Sequence, residues 1–117
     1  MMDKVRRKEL ANIYKLSFPC MGIYSIRNKI TGKQLIGKST NLNGALNRHR
    51  LELRLGVHRN PDLLADWRLL GESQFAFEII DQIKERPEPD FDYPSELDKC
   101  MAVWRAKIPP GSSLSYL

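Results

Sequence analysis

Gly22-Ile23-Tyr24 and Leu35-Ile36-Gly37 flank the turn sequence Asn28-Lys29-Ile30-Thr31-Gly32-Lys33. Two short apolar runs, at about 21–27 and 34–38, with a polar glycine-bearing stretch between them, predict an antiparallel hairpin. Glycine weakens a strand interior, so its presence in both runs marks a bend or the close approach of another group.

Downstream, Leu42, Leu46, Leu53 and Leu55 predict a helix over about 42–55, weakened in its first turn by Gly44 and stopped by Gly56. Asn60-Pro61-Asp62 then combines a capping side chain, a proline suited to the first helical position and a carboxylate near the positive dipole end. That helix runs through Leu63, Leu64, Trp67 and Leu70 to Gly71. A third strand is expected over 75–83, where Phe75, Phe77, Ile79 and Ile80 lie. The proline- and acid-rich stretch 86–94 reads as a loop, and a last helix should start near Ser95 with Glu96 in its first turn, carrying Leu97, Met101 and Trp104. Pro109-Pro110-Gly111 ends regular structure and leaves a short tail. Upstream, residues 3–16 read as an amphipathic helix. Val5, Ile13 and Leu16 share one side, Lys4, Arg6, Arg7, Lys8 and Lys15 are exposed, and Pro19 closes the segment.

With 117 residues the chain fits one modest core, and 42% hydrophobic with 28% charged residues is ordinary for a globular protein. No apolar run approaches the roughly 18 residues that span a bilayer, and no apolar signal region follows the basic N-terminus. Cys20 and Cys100 have neither the spacing of a zinc site nor that of a disulfide framework, so a reduced, cytoplasmic protein with no membrane association is expected. The net charge of +5 hides an asymmetry: residues 1–59 hold 13 Lys/Arg against 3 Asp/Glu, and residues 60–117 hold 6 against 11. A basic half of that kind attracts a phosphate backbone without reading its sequence.

The hairpin and the residues after it resemble the GIY-YIG nuclease family. The series Gly22-Ile23-Tyr24, Leu35-Ile36-Gly37, Lys38-Ser39-Thr40-Asn41-Leu42, His49, Gly56-x-His58-x-Asn60, Trp67 and Gly71-x-x-x-Phe75-x-Phe77-Glu78 spans about residues 20 to 83, with a weaker fit to about 108. The resemblance implies an α/β chain of the α+β kind, a small three-stranded antiparallel sheet flanked by helices, here with an added N-terminal helix. It divides the sequence into a basic helical extension (1–19), a GIY-YIG-like domain (20–108) and a C-terminal tail (109–117).

Family members hydrolyse phosphodiesters with two motif tyrosines, an arginine on the following helix and a metal-binding glutamate on a later one. Tyr24 matches the first tyrosine; an unperturbed phenol, with a pKa of about 10, needs help to act as a base at neutral pH. Leu35 stands at the second tyrosine, Ala45 at the arginine and Cys100 at the glutamate, so three of the four chemical positions are replaced. Leucine cannot ionise, alanine offers no phosphate clamp, and a thiol suits magnesium poorly. Arg48, three residues beyond Ala45, and Glu96, one turn before Cys100, are the available substitutes. A catalytic set would therefore be Tyr24, Arg48 and Glu96, with Glu96 as the one candidate ligand for magnesium or manganese.

The expectation is a catalytically degenerate GIY-YIG-like protein with no cofactor, which binds nucleic acid, DNA before RNA, through a basic face. Arg27, Lys29, Lys33, Lys38, Arg48, His49 and Arg50 would make the contacts, chiefly to phosphate. Two other readings stay open: an active, metal-dependent endonuclease with a rearranged site, and a protein-binding inhibitor or adaptor that uses Phe91 and Tyr93 of the 86–94 loop. Oligomeric state is not legible.

Overall fold

A computed structural model describes residues 20–117; the basic helix expected over 3–16 lies outside the described residues. Three strands, β1 (Met21–Asn28), β2 (Gln34–Ser39) and β3 (Phe75–Ile83), form an antiparallel sheet in the order β2-β1-β3. Three helices surround it: α1 (Leu42–Leu55), α2 (Pro61–Leu70) and α3 (Tyr93–Lys107). The expected α+β architecture is therefore present, and among the described residues no helix is long and apolar enough to cross a membrane.

The hairpin turn is organised by Asn28, which is fully buried. Its side-chain oxygen accepts from the N–H groups of Ile30 and Thr31, and its carbonyl accepts from Gly32. Side chains alternate across the sheet. Ile26, Leu35 and Phe75 meet Leu53 of α1 and Leu63 and Trp67 of α2 on one face. Ile23 and Ile36 meet Met101 of α3, and Met21 and Ile83 meet Leu97 of α3, on the other. Leu35, which the resemblance sets at the second motif tyrosine, is 6% exposed inside the first of these clusters, where it supplies packing.

Side-chain caps set the helix ends. Asn41 accepts from Gly44 N–H, Asn60 accepts from Leu63 N–H ahead of Pro61, and Gly56 closes α1 in the left-handed conformation. Two expectations shift. Leu55 is 66% exposed, because residues 53 and 55 lie about 200° apart around a helix and cannot share its buried side. The last helix begins at Tyr93, since Asp92 caps it through Ser95 N–H and Pro94 is tolerated in a first turn whose N–H groups are unpaired anyway.

The tail, where regular structure ends as expected, is docked: Gln34 N–H donates to Leu114 O, Tyr116 N–H donates to Gln34 O, and the Tyr116 ring joins the cluster of Ile26 and Leu35.

The charge asymmetry is also partly closed by folding. Among the described residues, Arg27–Glu78, Lys38–Asp98 and Arg54–Glu72 pair the basic half with the acidic half. These are exposed pairs and contribute little stability.

Candidate functional site

The two motif runs meet as one cross-strand pair. Tyr24 lies directly opposite Gly37, and its phenol lies over the glycine; a Cβ there would stand 2.3 Å from the Tyr24 hydroxyl. On the other side of β1 the pairing slips between Ile23 and Tyr24, leaving Ile80 without a partner in the register. A bulge of this kind re-aims a neighbouring side chain.

The Tyr24 hydroxyl reaches α1, where it lies 2.7 Å from His49 Nε2. His49 Nδ1 is in turn 2.7 Å from Nε2 of His58, whose Nδ1 accepts from Asn60 N–H at 3.1 Å. The turn at Gly56 folds His58 back beside His49, and the ring centres of the two histidines are 5.0 Å apart. Asn60 is held twice more, capping α2 and donating from its side chain to Tyr116 O at 2.8 Å. A chain of contacts therefore runs from the docked tail to the phenol.

Around this chain opens a cleft of about 470 Å³ lined by Tyr24, Ser39, Asn41, Gly44, Ala45, Arg48, His49, Glu52, His58 and Arg59. Arg48 donates to Glu52 at 3.0 Å, whereas Arg59 has no hydrogen bond or ion pair among the described residues. Burial raises the Tyr24 pKa, and the Glu52 charge adds to this. Burial lowers both histidines. His58 and Arg48 push His49 further down, while Glu52 opposes the shift at both rings.

Depressed histidine pKa values contribute stability above their unfolded value of about 6.5, and that stability is lost as pH falls through the lower folded values. His49 and His58 are the only histidines in the chain. The urea midpoint of wild-type protein is expected to drop between about pH 7 and pH 5, more steeply than that of a His49→Gln, His58→Gln double variant. Identical pH profiles would refute this.

Of the residues expected at the site, the fold brings Tyr24, Ala45, Arg48 and His49 into one cleft. Cys100 packs instead with the α3-side clusters, and Glu96 borders a separate hollow with Asp81 and Cys100. Burial, with the charges of Asp81 and Glu96, pushes the Cys100 thiol up. Neither Cys100 nor Glu96 lines the Tyr24 cleft. No group of three or more His, Cys, Asp or Glu side chains among the described residues is arranged to hold a metal ion.

The other basic candidates each have a partner within the chain. Arg27 pairs with Glu78, Lys38 with Asp98, and Lys29 donates to Ser73 O. Lys33 lies over the Tyr116 ring and Arg50 over the Phe77 ring. Phe91 of the loop packs edge to face on Tyr93 at the start of α3, with Arg86 over Phe91.

Sequence reasoning passed over Glu52, Arg59 and the link from His58 to His49. Glu52 was legible in principle, one turn beyond Arg48 on the same helix face. Arg59 and His58 depend on the chain reversal at Gly56, which spacing alone does not orient.

No protein-family model matches the sequence, and no curated protein does. Among solved structures the chain is similar to the catalytic domain of the homing endonuclease I-TevI, with a TM-score of 0.63 and 22% identity over 82% of this chain and 95% of that one. It is also similar to a mutant of the catalytic domain of the intron endonuclease I-TevI, with a TM-score of 0.60 and 20% identity over 75% of this chain and 82% of that one. The fold is GIY-YIG-like.

Proposed function

We propose that this chain is a catalytically degenerate GIY-YIG-like domain that binds nucleic acid, DNA before RNA, at the Tyr24 cleft without cutting it. The observation that carries the reading is the composition of that cleft: a phenol and two arginines beside Ala45, where the resemblance calls for a guanidinium. The structural neighbours are endonucleases by name, which makes a phosphodiester backbone the natural ligand for such a surface. Arg59, unpaired among the described residues, supplies positive charge and Arg48 a guanidinium shared with Glu52, and phosphate contacts of this kind position a backbone rather than read bases.

The chemistry of cleavage is depleted. Leu35 is core, Ala45 is inert, and Cys100 and Glu96 lie away from the cleft. Loss of one stabilising group from a catalytic site costs about 10²–10³ in rate. The phenol of Tyr24, retained in the cleft beside Arg48, favours the rival reading, an active endonuclease with a rearranged site.

One experiment separates the two readings. Purified protein is incubated with supercoiled plasmid and magnesium or manganese, while binding to a duplex oligonucleotide is followed at low and high salt. We expect no nicking, and an affinity that falls steeply with salt as counterions are displaced. Binding that ignores salt, or no binding, would sink the proposal. Nicking that Tyr24→Phe removes would establish the endonuclease instead.

A further inference from the structure

We propose that Asn60 and His58 set the direction of a hydrogen-bond chain that makes the Tyr24 hydroxyl a donor to a phosphate oxygen in the cleft; the phosphate part rests on the nucleic-acid reading above. The direction follows from the inventory of donors. A backbone N–H can only donate, so His58 Nδ1, 3.1 Å from Asn60 N, must present a lone pair. A neutral imidazole has one N–H and one lone pair, so the His58 proton sits on Nε2 and is donated to His49 Nδ1 at 2.7 Å. His49 then carries its own proton on Nε2 and donates it to the Tyr24 oxygen at 2.7 Å.

The opposite direction fails on proton count. If Tyr24 donated to His49 Nε2, His49 Nδ1–H would have to donate to His58 Nε2, leaving His58 with no proton on either nitrogen. A doubly protonated His49 fails as well, because two N–H groups would face each other between the rings. His58 is a positioning residue in this scheme, acting on Tyr24 through His49.

The consequence concerns the phenol. Its oxygen is occupied as an acceptor from His49, so its O–H is available to a group in the cleft. The charged and titratable groups facing the chain are Arg48 and Glu52 from α1 and Arg59 from the following loop. Burial holds Tyr24 protonated and both histidines neutral, which suits a donor and opposes a base. A phosphodiester oxygen beside the Arg59 guanidinium, unpaired among the described residues, with the Arg48 guanidinium shared with Glu52, is the acceptor that this arrangement fits.

The test reads the tautomers directly. Long-range proton–nitrogen correlation spectra of labelled wild-type protein at neutral pH should show both histidines protonated at Nε2. A His49 protonated at Nδ1 would overturn the chain's direction whether or not DNA binds. His58→Gln keeps an N–H for His49 and should preserve the His49 spectrum. His58→Phe removes that donor and should leave His49 as a mixture of tautomers.

With a duplex DNA oligonucleotide as the probe, Tyr24→Phe is expected to bind roughly tenfold more weakly, with His58→Phe shifted the same way and His58→Gln close to wild type. Wild-type affinity in Tyr24→Phe would overturn the donor role. The Nε2–H pair in a protein that binds no DNA would instead overturn the nucleic-acid reading, and the donor role with it.

Discussion

Gly22→Ala is expected to destabilise this protein by about 3 kcal/mol, at the upper end of what overpacking costs. A Cβ at position 22 would lie 2.0 Å from Asp81 O and 2.8 Å from Gln82 Cα. Both are backbone atoms of the neighbouring strand β3, so no side chain can rotate away to make room. Relief would require β1 and β3 to separate, and β1 is the central strand that every other part of the sheet depends on. Urea denaturation followed by circular dichroism should show a much lower midpoint at an unchanged slope. A midpoint equal to that of wild type would mean that the strands yield without cost, and that the first glycine of the motif is not there for close approach.

The second large effect is expected at the opposite end of the chain. Tyr116→Ala should cost about 3–5 kcal/mol, the range for deleting a buried aromatic ring. Tyr116 is 5% exposed and packs with Ile26, Leu35, Leu53, Leu63, Trp67 and Phe75. Its hydroxyl donates to Asp66 at 2.7 Å and accepts from the buried Asn28 side chain at 3.1 Å. Tyr116→Phe keeps the ring and strands both polar partners, so a smaller loss of about 1–3 kcal/mol is expected.

The same residue gives an alkaline signature. Burial, chiefly, pushes the Tyr116 phenol from 10.0 up to about 12. A raised folded pKa contributes stability that is complete below the unfolded value and is lost as pH rises through the folded one. Wild-type stability should therefore fall between about pH 10 and pH 12, and that component should be missing in Tyr116→Phe. A Tyr116→Ala protein as stable as wild type would show that the tail rests on the domain without holding it. Because Tyr116 O accepts from Asn60, undocking the tail should also loosen the His58–His49–Tyr24 chain.

Local chemistry accounts for what was readable in advance. Asn28 to Lys33 is a turn because the Asn28 side chain accepts from its own following N–H groups and Gly32 takes a positive φ, and Asn41, Gly56 and Asn60 bound helices because capping is a matter of a few neighbouring atoms. The strand runs were legible by their apolar, glycine-marked pattern. The start of α3 was misjudged because the loop's prolines and acids mask the Asp92 cap. The docking of the tail was not legible because a single aromatic in a Ser-rich segment carries no periodicity, and only its seat between β2 and the helices gives it a place.

The site divides along the same line. Tyr24, Leu35 and Ala45 could be placed on the hairpin and the following helix from the motif, since strand pairing and helix periodicity bring nearby residues together predictably. Position along the chain says nothing about which charges neutralise one another. Folding engages Arg27 and Lys38 with acids from the second half, while Arg59 keeps a place in the cleft.

The sequence by itself determined the hairpin, the helix ends and the chemical identity of the phenol, because each depends on contacts within a few residues. The order β2-β1-β3, the seat of Tyr116 and the link from Asn60 through two histidines to Tyr24 were decided only by the tertiary structure. The physical reason is that packing and hydrogen-bond direction depend on distances between segments, and a linear pattern carries those distances only once the chain has closed on itself.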